Sequence, residues 1–535
     1  MSNKHLGAMQ YNGIRLDRPL AAGMKAKLLL LFFTTATVVM LFISKDSYLH
    51  YMFNHFDSAW FFVCGKAWMN GLTPYVDFSD SKGPLLWLIY GVGYLLSPRD
   101  YVGVFWLSCV AYTVTLYLNF LTARIFLRDT KTSALVAVTM LNFYLAVFMH
   151  NETRCEDFTL PFLSAAIWGV CRWLYVPDGS AIRASVLVGV AFGATLMMKF
   201  NIAATTVGLG GYVVYAAWRE RGSVLAAVGW MAFGAAMVVL PFVAYFLAKG
   251  CFQAFLYEYF VLTFETTANK APVQSGLSSM LLPASILAIV ACGIGVWLFR
   301  GVTLRHRNFP AVAFALCYML SVFNARNYYF AVCMPYALFL LVAVAFWLRL
   351  HRLSVIKASV IGVLMAAFVT LTNLIGHDLR NRDFGDFITQ DNIARRTFYA
   401  YEYLISQVDA PRMVNMNDGA GLGIMSEALP ACKYWSLQWG ATPQMKQDIM
   451  DACRSGKADF AVVNRISTAE RKQLKAWGWH EYDYSSDIYD NVLLSKRKLR
   501  LTPKKFPRNG RCCPETLDRV EQGERWKPDG IMNKK

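Results

Sequence analysis

Long apolar runs recur through the first 375 residues of the chain, and they restrict its fold more than any other feature. Runs of about 17 to 25 apolar residues can cross roughly 30 Å of hydrocarbon as α-helices, because a helix satisfies its backbone hydrogen bonds internally. The sequence of 535 residues is 56% hydrophobic and only 16% charged, which argues against a single soluble domain. We therefore expect a polytopic α-helical membrane protein with about eleven transmembrane helices and additional interfacial helices.

The predicted spans follow the apolar runs in chain order. They cover residues 25–44, 101–127, 133–149, 158–175, 182–198, 202–218, 225–247, 277–299, 309–322, 328–350 and 355–375. The run PLLWLIYGVGYLLS, which begins at Pro84, has only about 14 residues and is too short to span comfortably. We interpret this run as an interfacial helix.

Basic residues decide the predicted topology. If the N-terminus is cytoplasmic, most lysines and arginines of the short loops fall on the inner side, as the positive-inside rule requires. The inner residues are Arg124, Arg128, Lys131, Arg172, Arg183, Arg219, Arg221, Arg300, Arg305, Arg307, Arg349, Arg352 and Lys357. Counting the short run as a span would exchange the sides of every later loop and break this pattern. We therefore attribute the net charge of +18 to basic residues in the predicted inner loops, and nucleic acid is not an expected partner.

Composition divides the chain into four predicted parts. Residues 1–24 form a cytoplasmic tail, and residues 25–375 form a transmembrane domain whose first external loop covers 45–100. Beyond residue 376 the strand-like runs RMVNMN and DFAVVN alternate with helix-like runs at 392–408 and 442–454. This alternation predicts a small extracytoplasmic α/β domain over residues 376–498. The remainder, 499–535, lacks periodic hydrophobicity and is predicted to be a disordered basic tail.

Two acidic groups fall on the predicted outer side, each beside a membrane edge. Their members are Asp57, Asp77 and Asp80 in the first external loop, and Glu152, Glu156 and Asp157 in MHNETRCEDFTLPF. Either group alone also fits a solvated loop. Because charge beside hydrocarbon is costly unless it is paired or wetted, two such groups on one side indicate a polar functional cleft. Carboxylate pairs can take a proton from a hydroxyl and can hold a cation or a sugar.

Two basic residues accompany these carboxylates. Lys82 in DSKGPL and Arg326 in NARNYYF are suited to a phosphate at the headgroup level. Lys82 equally fits a snorkelling lysine. The sequence has no CxxC motif and no histidine pair at ligand spacing, so we expect no structural zinc. A divalent metal held by the carboxylates stays open as an alternative, and no other cofactor is predicted.

Two further motifs receive structural interpretations. GLGG at residues 208–211 lies inside an apolar span, so it indicates close helix packing and not a phosphate loop. The outer segment AKGCFQAFLYEYFVLTFETTANKAPVQSG is aromatic and amphipathic, which is typical of an interfacial aromatic belt. The alternative for this segment is the lining of an acceptor cleft.

Three motifs, taken in order, resemble those of the polytopic GT-C glycosyltransferases. They are FDSAWFFVCGKAWMNGLTPYVDFSDSKGPLLWLI, NETRCEDFTLPF and NYYFAVCMPYALFLL. The sequence is most similar to the bacterial relatives of the dolichyl-phosphate-mannose protein mannosyltransferases and of the aminoarabinose transferase. The resemblance extends over roughly residues 24–375, and the first external loop is its most specific part.

The resemblance implies roles for individual residues. Asp57 matches the aspartate that the family uses as general base toward an acceptor hydroxyl. Glu156 or Asp157 matches the acidic position of the second loop, which shapes the sugar or metal site; the alignment is ambiguous by one residue. Lys82 matches the lysine near the donor phosphate, and Arg326 is a less specific match for a second phosphate contact.

The resemblance also implies the reaction. The family transfers a sugar from a polyprenyl-phosphate donor to a lipid, glycan or protein acceptor, with inversion, on the extracytoplasmic side of the plasma membrane. Asp77, Asp80 and Glu152 would then contact substrate. Ser81 stands where several relatives carry a histidine, so no imidazole role is expected there. Two alternatives remain at this stage: a transporter or flippase of lipid-linked glycan, and a non-catalytic envelope protein that binds through its α/β domain.

Overall fold

The structure is a computed structural model that describes most of the chain with several gaps. The described residues are 20–44, 46–47, 57–145, 153–268, 306, 308–322, 327–350, 401–416, 421–437, 442–463, 468–482 and 492–499, together with strands at 524–526 and 532–534. The predicted spans at 277–299 and 355–375 lie outside these residues, as do the candidate site residues Glu152 and Arg326.

Helices account for most of the described residues up to Leu350. In chain order they are α1 (Ala22–Ile43), α2 (Asp57–Met69), α3 (Pro84–Leu96), α4 (Val102–Leu127), α5 (Thr130–Thr139), α6 (Leu141–Tyr144), α7 (Cys155–Tyr175), α8 (Ala181–Met198), α9 (Phe200–Arg219), α10 (Val224–Ala248), α11 (Phe252–Leu256), a π-helical turn (Tyr257–Val261), α12 (Leu262–Ala268), α13 (Phe309–Val322), a 3-10 helix (Asn327–Tyr336) and α14 (Ala337–Leu350).

Five of the described helices, α1, α4, α8, α9 and α10, are long and apolar enough to cross a membrane. The predicted class of a polytopic helical membrane protein is therefore confirmed, while the number eleven stays a prediction. The short run beginning at Pro84 forms the 13-residue helix α3. At about 1.5 Å per residue this helix is shorter than the hydrocarbon layer is thick, as an interfacial helix requires.

Two predicted spans differ from simple α-helices. The run at 133–149 is divided at Met140 into α5 and the four-residue α6. The run at 328–350 begins as a ten-residue 3-10 helix that contains Pro335, and only its second part is α14. Proline removes a backbone donor and clashes with the carbonyl four residues earlier, so a regular α-helix through Pro335 is disfavoured.

Contacts divide the chain into two compact units. The described residues within Met1–Ile43, Leu107–Tyr245 and Pro272–Arg380 form the first, which we call the helical unit. Those within Ser44–Trp106, Phe246–Ala271 and Asn381–Lys535 form the second, which we call the sheet unit. The sheet unit thus joins the first external loop to a region more than 300 residues later in the chain.

Small residues let neighbouring helices of the helical unit approach closely. A methyl group added at Gly234 of α10 would overlap the Val186 carbonyl of α8. At Gly208 of α9, the first residue of GLGG, a methyl group would lie 2.7 Å from the Leu316 Cβ of α13. The helix-packing interpretation of GLGG is therefore confirmed at Gly208, and the contact is of the kind that associates helices in lipid.

A five-stranded mixed sheet is the core of the sheet unit. Its strands are β1 (Arg412–Met416), β2 (Leu429–Pro430), β3 (Phe460–Val463), β4 (His480–Tyr482) and β5 (Val492–Ser495), in the spatial order β2-β1-β3-β5-β4. β1 pairs in parallel with β2 and β3, while β5 pairs antiparallel with β3 and β4. The strands predicted at RMVNMN and DFAVVN are β1 and β3, and both are almost wholly buried.

Helices α15 (Gly421–Met425), α16 (Pro443–Ser455) and α17 (Thr468–Ala476) connect these strands. The Thr442 hydroxyl accepts a hydrogen bond from the Met445 amide at the start of α16, and Gly456 ends this helix with a φ of 77°. Such caps satisfy terminal backbone groups that the helix itself leaves open. Farther along, β6 (Glu524–Trp526) and β7 (Met532–Lys534) form an antiparallel pair within the C-terminal tail.

Candidate active site

The loop predicted to be the first external one lies in the sheet unit and carries four of the candidate residues. Asp57 is the first residue of α2 and is half-buried. A carboxylate suits this position, because the N-terminal end of a helix carries a partial positive charge. Helix α2 then packs against α3, and the turn between these two helices contains the remaining acidic residues and Lys82.

Hydrogen bonds shape the turn between α2 and α3. Asp77 Oδ2 accepts from the Thr73 amide at 2.7 Å, and this bond closes a tight turn around Tyr75, whose φ is 66°. Asp80 Oδ1 accepts from the Ser81 amide at 2.5 Å. Asp80 is only 7% exposed, and its second oxygen, Oδ2, has no hydrogen-bond partner among the described residues. This oxygen can therefore accept a hydrogen bond from a bound hydroxyl group.

Lys82 follows Asp80 and is half-buried. Its ammonium nitrogen lies 3.1 Å from Ser81 Oγ and 5.3 Å from the centroid of the Phe61 ring. The backbone carbonyl of the same residue accepts a hydrogen bond from the Tyr75 hydroxyl at 2.9 Å. These contacts hold the lysine with a neutral hydroxyl and an aromatic face, an arrangement that leaves its positive charge available to an anion.

Lys66 is a charged residue of this loop that the sequence analysis missed. It is 2% exposed, and its ammonium group donates to the carbonyls of Gly423 (2.5 Å) and Ser426 (2.9 Å). Burial lowers the pKa of Lys66 to about 7, although the charge of Glu427 acts in the opposite direction. Lys66 thereby attaches α2 to the end of α15, and no local pattern in the sequence indicated this contact.

Glu258 is a second residue that the sequence analysis missed. It lies in the π-helical turn at Tyr257–Val261, within the segment interpreted as an aromatic belt, and it is 2% exposed. Its carboxylate accepts from Ser79 Oγ and from the Tyr434 hydroxyl, each at 2.9 Å, and it forms an ion pair with Lys433. Burial and the charge of Glu258 raise the pKa of Tyr434, so this hydroxyl remains a donor. The available signal was an acid with aromatic residues directly on both sides, in the run YEYF.

The second acidic loop lies in the helical unit at the start of α7. Glu156 is buried and pairs with Lys199, the residue between α8 and α9, at 2.6 Å. Asp157 is half-buried, and both of its oxygens are engaged: Oδ2 accepts from the Arg154 amide at 2.7 Å, and Oδ1 accepts from the Tyr112 hydroxyl. The Arg154 contact caps the first turn of α7, which is a common structural task for an acid at this position.

The candidate residues are therefore divided between the two units. Asp57, Asp77, Asp80 and Lys82 lie in the sheet unit, and Glu156 and Asp157 lie in the helical unit. Within the ranges that the structure describes, no three His, Cys, Asp or Glu side chains gather in a group that could hold a metal ion.

Comparisons with known proteins agree with this architecture. Residues 81–270 match the family model of the dolichyl-phosphate-mannose-protein mannosyltransferases. The crystal structure of ArnT from Cupriavidus metallidurans bound to undecaprenyl phosphate is similar, with a TM-score of 0.57 and 15% identity over 89% of this chain and 99% of that chain. The apo structure of the same ArnT gives a TM-score of 0.56 and 14% identity over 88% and 98%. No curated protein sequence matches the chain significantly.

These similarities define the class of the protein as a polytopic membrane protein with the GT-C glycosyltransferase fold. Within that class, the chain has the fold of ArnT along nearly its entire length. The resemblance predicted from the three motifs is therefore confirmed.

Proposed function

We propose that this protein is a membrane-embedded, inverting glycosyltransferase that moves a sugar from a polyprenyl-phosphate donor to an envelope acceptor. The acceptor is a lipid, a glycan or a protein, and the reaction takes place on the extracytoplasmic side of the plasma membrane. The observation that carries the proposal is the ArnT-like fold over 89% of the chain, since that ArnT was crystallised with undecaprenyl phosphate. The family match begins at Ser81, immediately before Lys82, and includes all three acids of the second loop.

The donor is held by the turn between α2 and α3. Lys82 contacts the donor phosphate, and its surroundings of a hydroxyl and an aromatic ring support this role. Asp80 accepts a hydrogen bond from a sugar hydroxyl through Oδ2, the oxygen without a partner among the described residues. We assign Asp77 to the same substrate-binding turn, and Arg326 to a second phosphate contact by family resemblance.

Asp57 is the general base. It takes the proton of the acceptor hydroxyl as the acceptor oxygen attacks the anomeric carbon on the face opposite the phosphate. The bond between the anomeric carbon and the phosphate oxygen breaks, and polyprenyl phosphate leaves with the bonding electrons. One carbon–oxygen bond forms and one breaks in a single displacement, and because the attack comes from the face opposite the leaving phosphate, the configuration at the anomeric carbon is inverted.

The second acidic loop has two separate tasks in this proposal. Asp157 uses both oxygens to fix the start of α7, which makes it a positioning residue. Glu156 is paired with Lys199 through one oxygen, and we assign to it the contact with the sugar. We therefore assign the acidic position of the family to Glu156, and its pairing through a single oxygen supports this assignment. Glu152 keeps its assignment to the substrate site by its place in the same loop.

An Asp57→Asn variant tests the proposed function. We expect sugar release from a panel of polyprenyl-phosphate sugars by the wild type, and a loss of about 100-fold or more in the variant, because an amide cannot take the acceptor proton. Turnover is measured on detergent-purified protein at matched monodispersity. Asp409→Asn, at an exposed position of the sheet unit, is the matched control and should retain wild-type turnover.

Each outcome separates the alternatives. Equal turnover in the wild type and Asp57→Asn removes Asp57 from the chemistry. The absence of turnover with every donor contradicts the transferase. Movement of a lipid-linked glycan across vesicles without sugar release then favours the flippase, and binding without either activity favours the envelope-binding protein.

A further inference from the structure

Glu258 occupies an unusual backbone segment in the middle of an aromatic cluster. The π-helical turn at Tyr257–Val261 adds a residue to the helical register between α11 and α12. Such turns are rare and occur frequently at functional sites, since they redirect a side chain that a regular helix would place elsewhere. Here the turn places the carboxylate of Glu258 in a buried environment.

Three donors from two other segments converge on this carboxylate. Ser79 donates to Oε2, whereas Tyr434 and Lys433 both contact Oε1. A buried carboxylate is costly unless its charge and hydrogen-bonding capacity are satisfied. The three donors meet that requirement, so the position of Glu258 and the positions of its donors depend on one another.

The segment around Glu258 contacts the loop Ser79–Lys82 directly at Ser79 and, through Tyr75, indirectly at Lys82. At one end, Ser79 is bound by Glu258 through its hydroxyl and by the Lys433 carbonyl through its amide, the latter at 2.8 Å. At the other end, the Lys82 carbonyl accepts from the Tyr75 hydroxyl. The Tyr75 ring in turn packs against Phe255 at 5.4 Å and Tyr259 at 6.3 Å, which flank Glu258 along the chain.

We propose that Glu258 is a positioning residue for the transfer reaction, because its contact with Ser79 fixes the loop that presents Lys82 to the donor phosphate. The inference rests on the proposed function and adds to it a residue that touches neither donor nor acceptor. Without the Glu258 charge, Lys433 loses its ion pair and the Ser79 contact weakens. The Lys82 ammonium then samples several positions, and binding of the donor phosphate requires that it be ordered first.

The experiment compares steady-state kinetics for a polyprenyl-phosphate sugar in four variants. Glu258→Gln should raise KM for the donor about tenfold and change kcat less than about twofold, because the loss falls on donor binding. Ser79→Ala removes only the link to the loop and should reproduce most of the rise in KM. Tyr434→Phe leaves that link intact and should have a small effect. Glu265→Gln, at an exposed position of the next helix, is the matched control.

A double variant distinguishes positioning from a general structural role. If Glu258 acts through Lys82, adding Glu258→Gln to Lys82→Met should cause no further rise in KM. The inference would be overturned if the rise in KM of the double variant equalled the product of the two single rises. It would also be overturned if Glu258→Gln had the wild-type KM. Neither result would contradict the proposed transferase function. If the wild type shows no turnover, the proposed function fails, and the same variants are compared for binding of undecaprenyl phosphate. Equal affinities there would also overturn the positioning role.

Discussion

Lys66 donates to two backbone carbonyls in a buried environment, and its lowered pKa predicts that the stability of the sheet unit depends on pH. The folded-state pKa of about 7 lies below the ordinary lysine value of 10.5. Between these values the unfolded chain binds more protons than the folded chain, so the free energy of unfolding should rise with pH from about 7 to about 10.5. Below and above that window, the contribution of Lys66 should be constant.

A Lys66→Met variant should lose this pH dependence. We expect the wild type to gain roughly 2 kcal/mol between pH 7 and pH 9 relative to the variant, since one pKa unit corresponds to about 1.4 kcal/mol. Denaturant unfolding of the purified protein at the two pH values measures the difference. Lys457→Met, at an exposed position, should keep the wild-type slope, and an unchanged slope in Lys66→Met would show that Lys66 is charged throughout.

At the scale of elements, the crossing of α2 and α3 determines where the candidate loop lies. The two helices meet backbone to backbone at Gly65 and Gly91, and a methyl group at Gly65 would overlap the Gly91 amide nitrogen. It would also lie 2.8 Å from the Trp87 carbonyl oxygen. Because these neighbours are backbone atoms, they cannot rotate away, and the helices must separate to admit any side chain.

Gly65→Ala should therefore destabilise the sheet unit and lower transfer activity. We expect a loss of about 2 kcal/mol or more in stability, within the range typical of overpacked cores. Gly23→Ala is the matched control, because a methyl group at Gly23 in α1 meets nothing within 4 Å. That change should be neutral or slightly stabilising, since alanine is the better helix former. If Gly65→Ala melts at the same temperature as the control, the close backbone contact between α2 and α3 at Gly65 is contradicted.

At the scale of the whole molecule, the topology predicted from basic residues can be tested directly. The loop after α9 contains Arg219 and Arg221 and is predicted to lie inside the cell, whereas the sheet unit is predicted to lie outside it. Ser223 and Lys457 are both exposed in the structure, so a cysteine at either position is accessible to a reagent.

Membrane-impermeant maleimide should label the two sites from opposite sides. We expect Lys457→Cys to react in intact cells and Ser223→Cys to react only after permeabilisation. The unsubstituted protein provides the background, because the described cysteines are buried apart from Cys432. Reaction of Ser223→Cys in intact cells would show that the predicted topology is inverted and that the sheet unit lies in the cytoplasm.

Much of the architecture could be predicted from local sequence. Apolar run length predicted α1, α4 and α8 to α10, and the runs RMVNMN and DFAVVN predicted β1 and β3. The short apolar run beginning at Pro84 forms α3, and the three motifs indicated the fold family. Length and periodicity suffice for these features because backbone hydrogen bonding and burial of a helix or strand depend mainly on neighbouring residues.

The first external loop was identified from its charges, but the partners of those charges were not. Asp157 and Glu156 looked equivalent in the sequence, whereas Tyr112 and Lys199 give them different environments. Both partners lie in other helices, and which helix faces α7 depends on the packing of the whole helical unit. A sequence pattern predicts that an acid needs a partner, yet it does not specify which one.

The sequence by itself identified a polytopic membrane protein and the family that it resembles, because these depend on composition and local spacing. Only the tertiary structure decided that the first loop and the C-terminal sheet share one unit. Lys66 meets the Ser426 carbonyl 360 residues later, and Glu258 joins Ser79 to Tyr434 across 179 and 176 residues. Contacts at such separations depend on the path of the entire chain, and local sequence patterns do not predict that path.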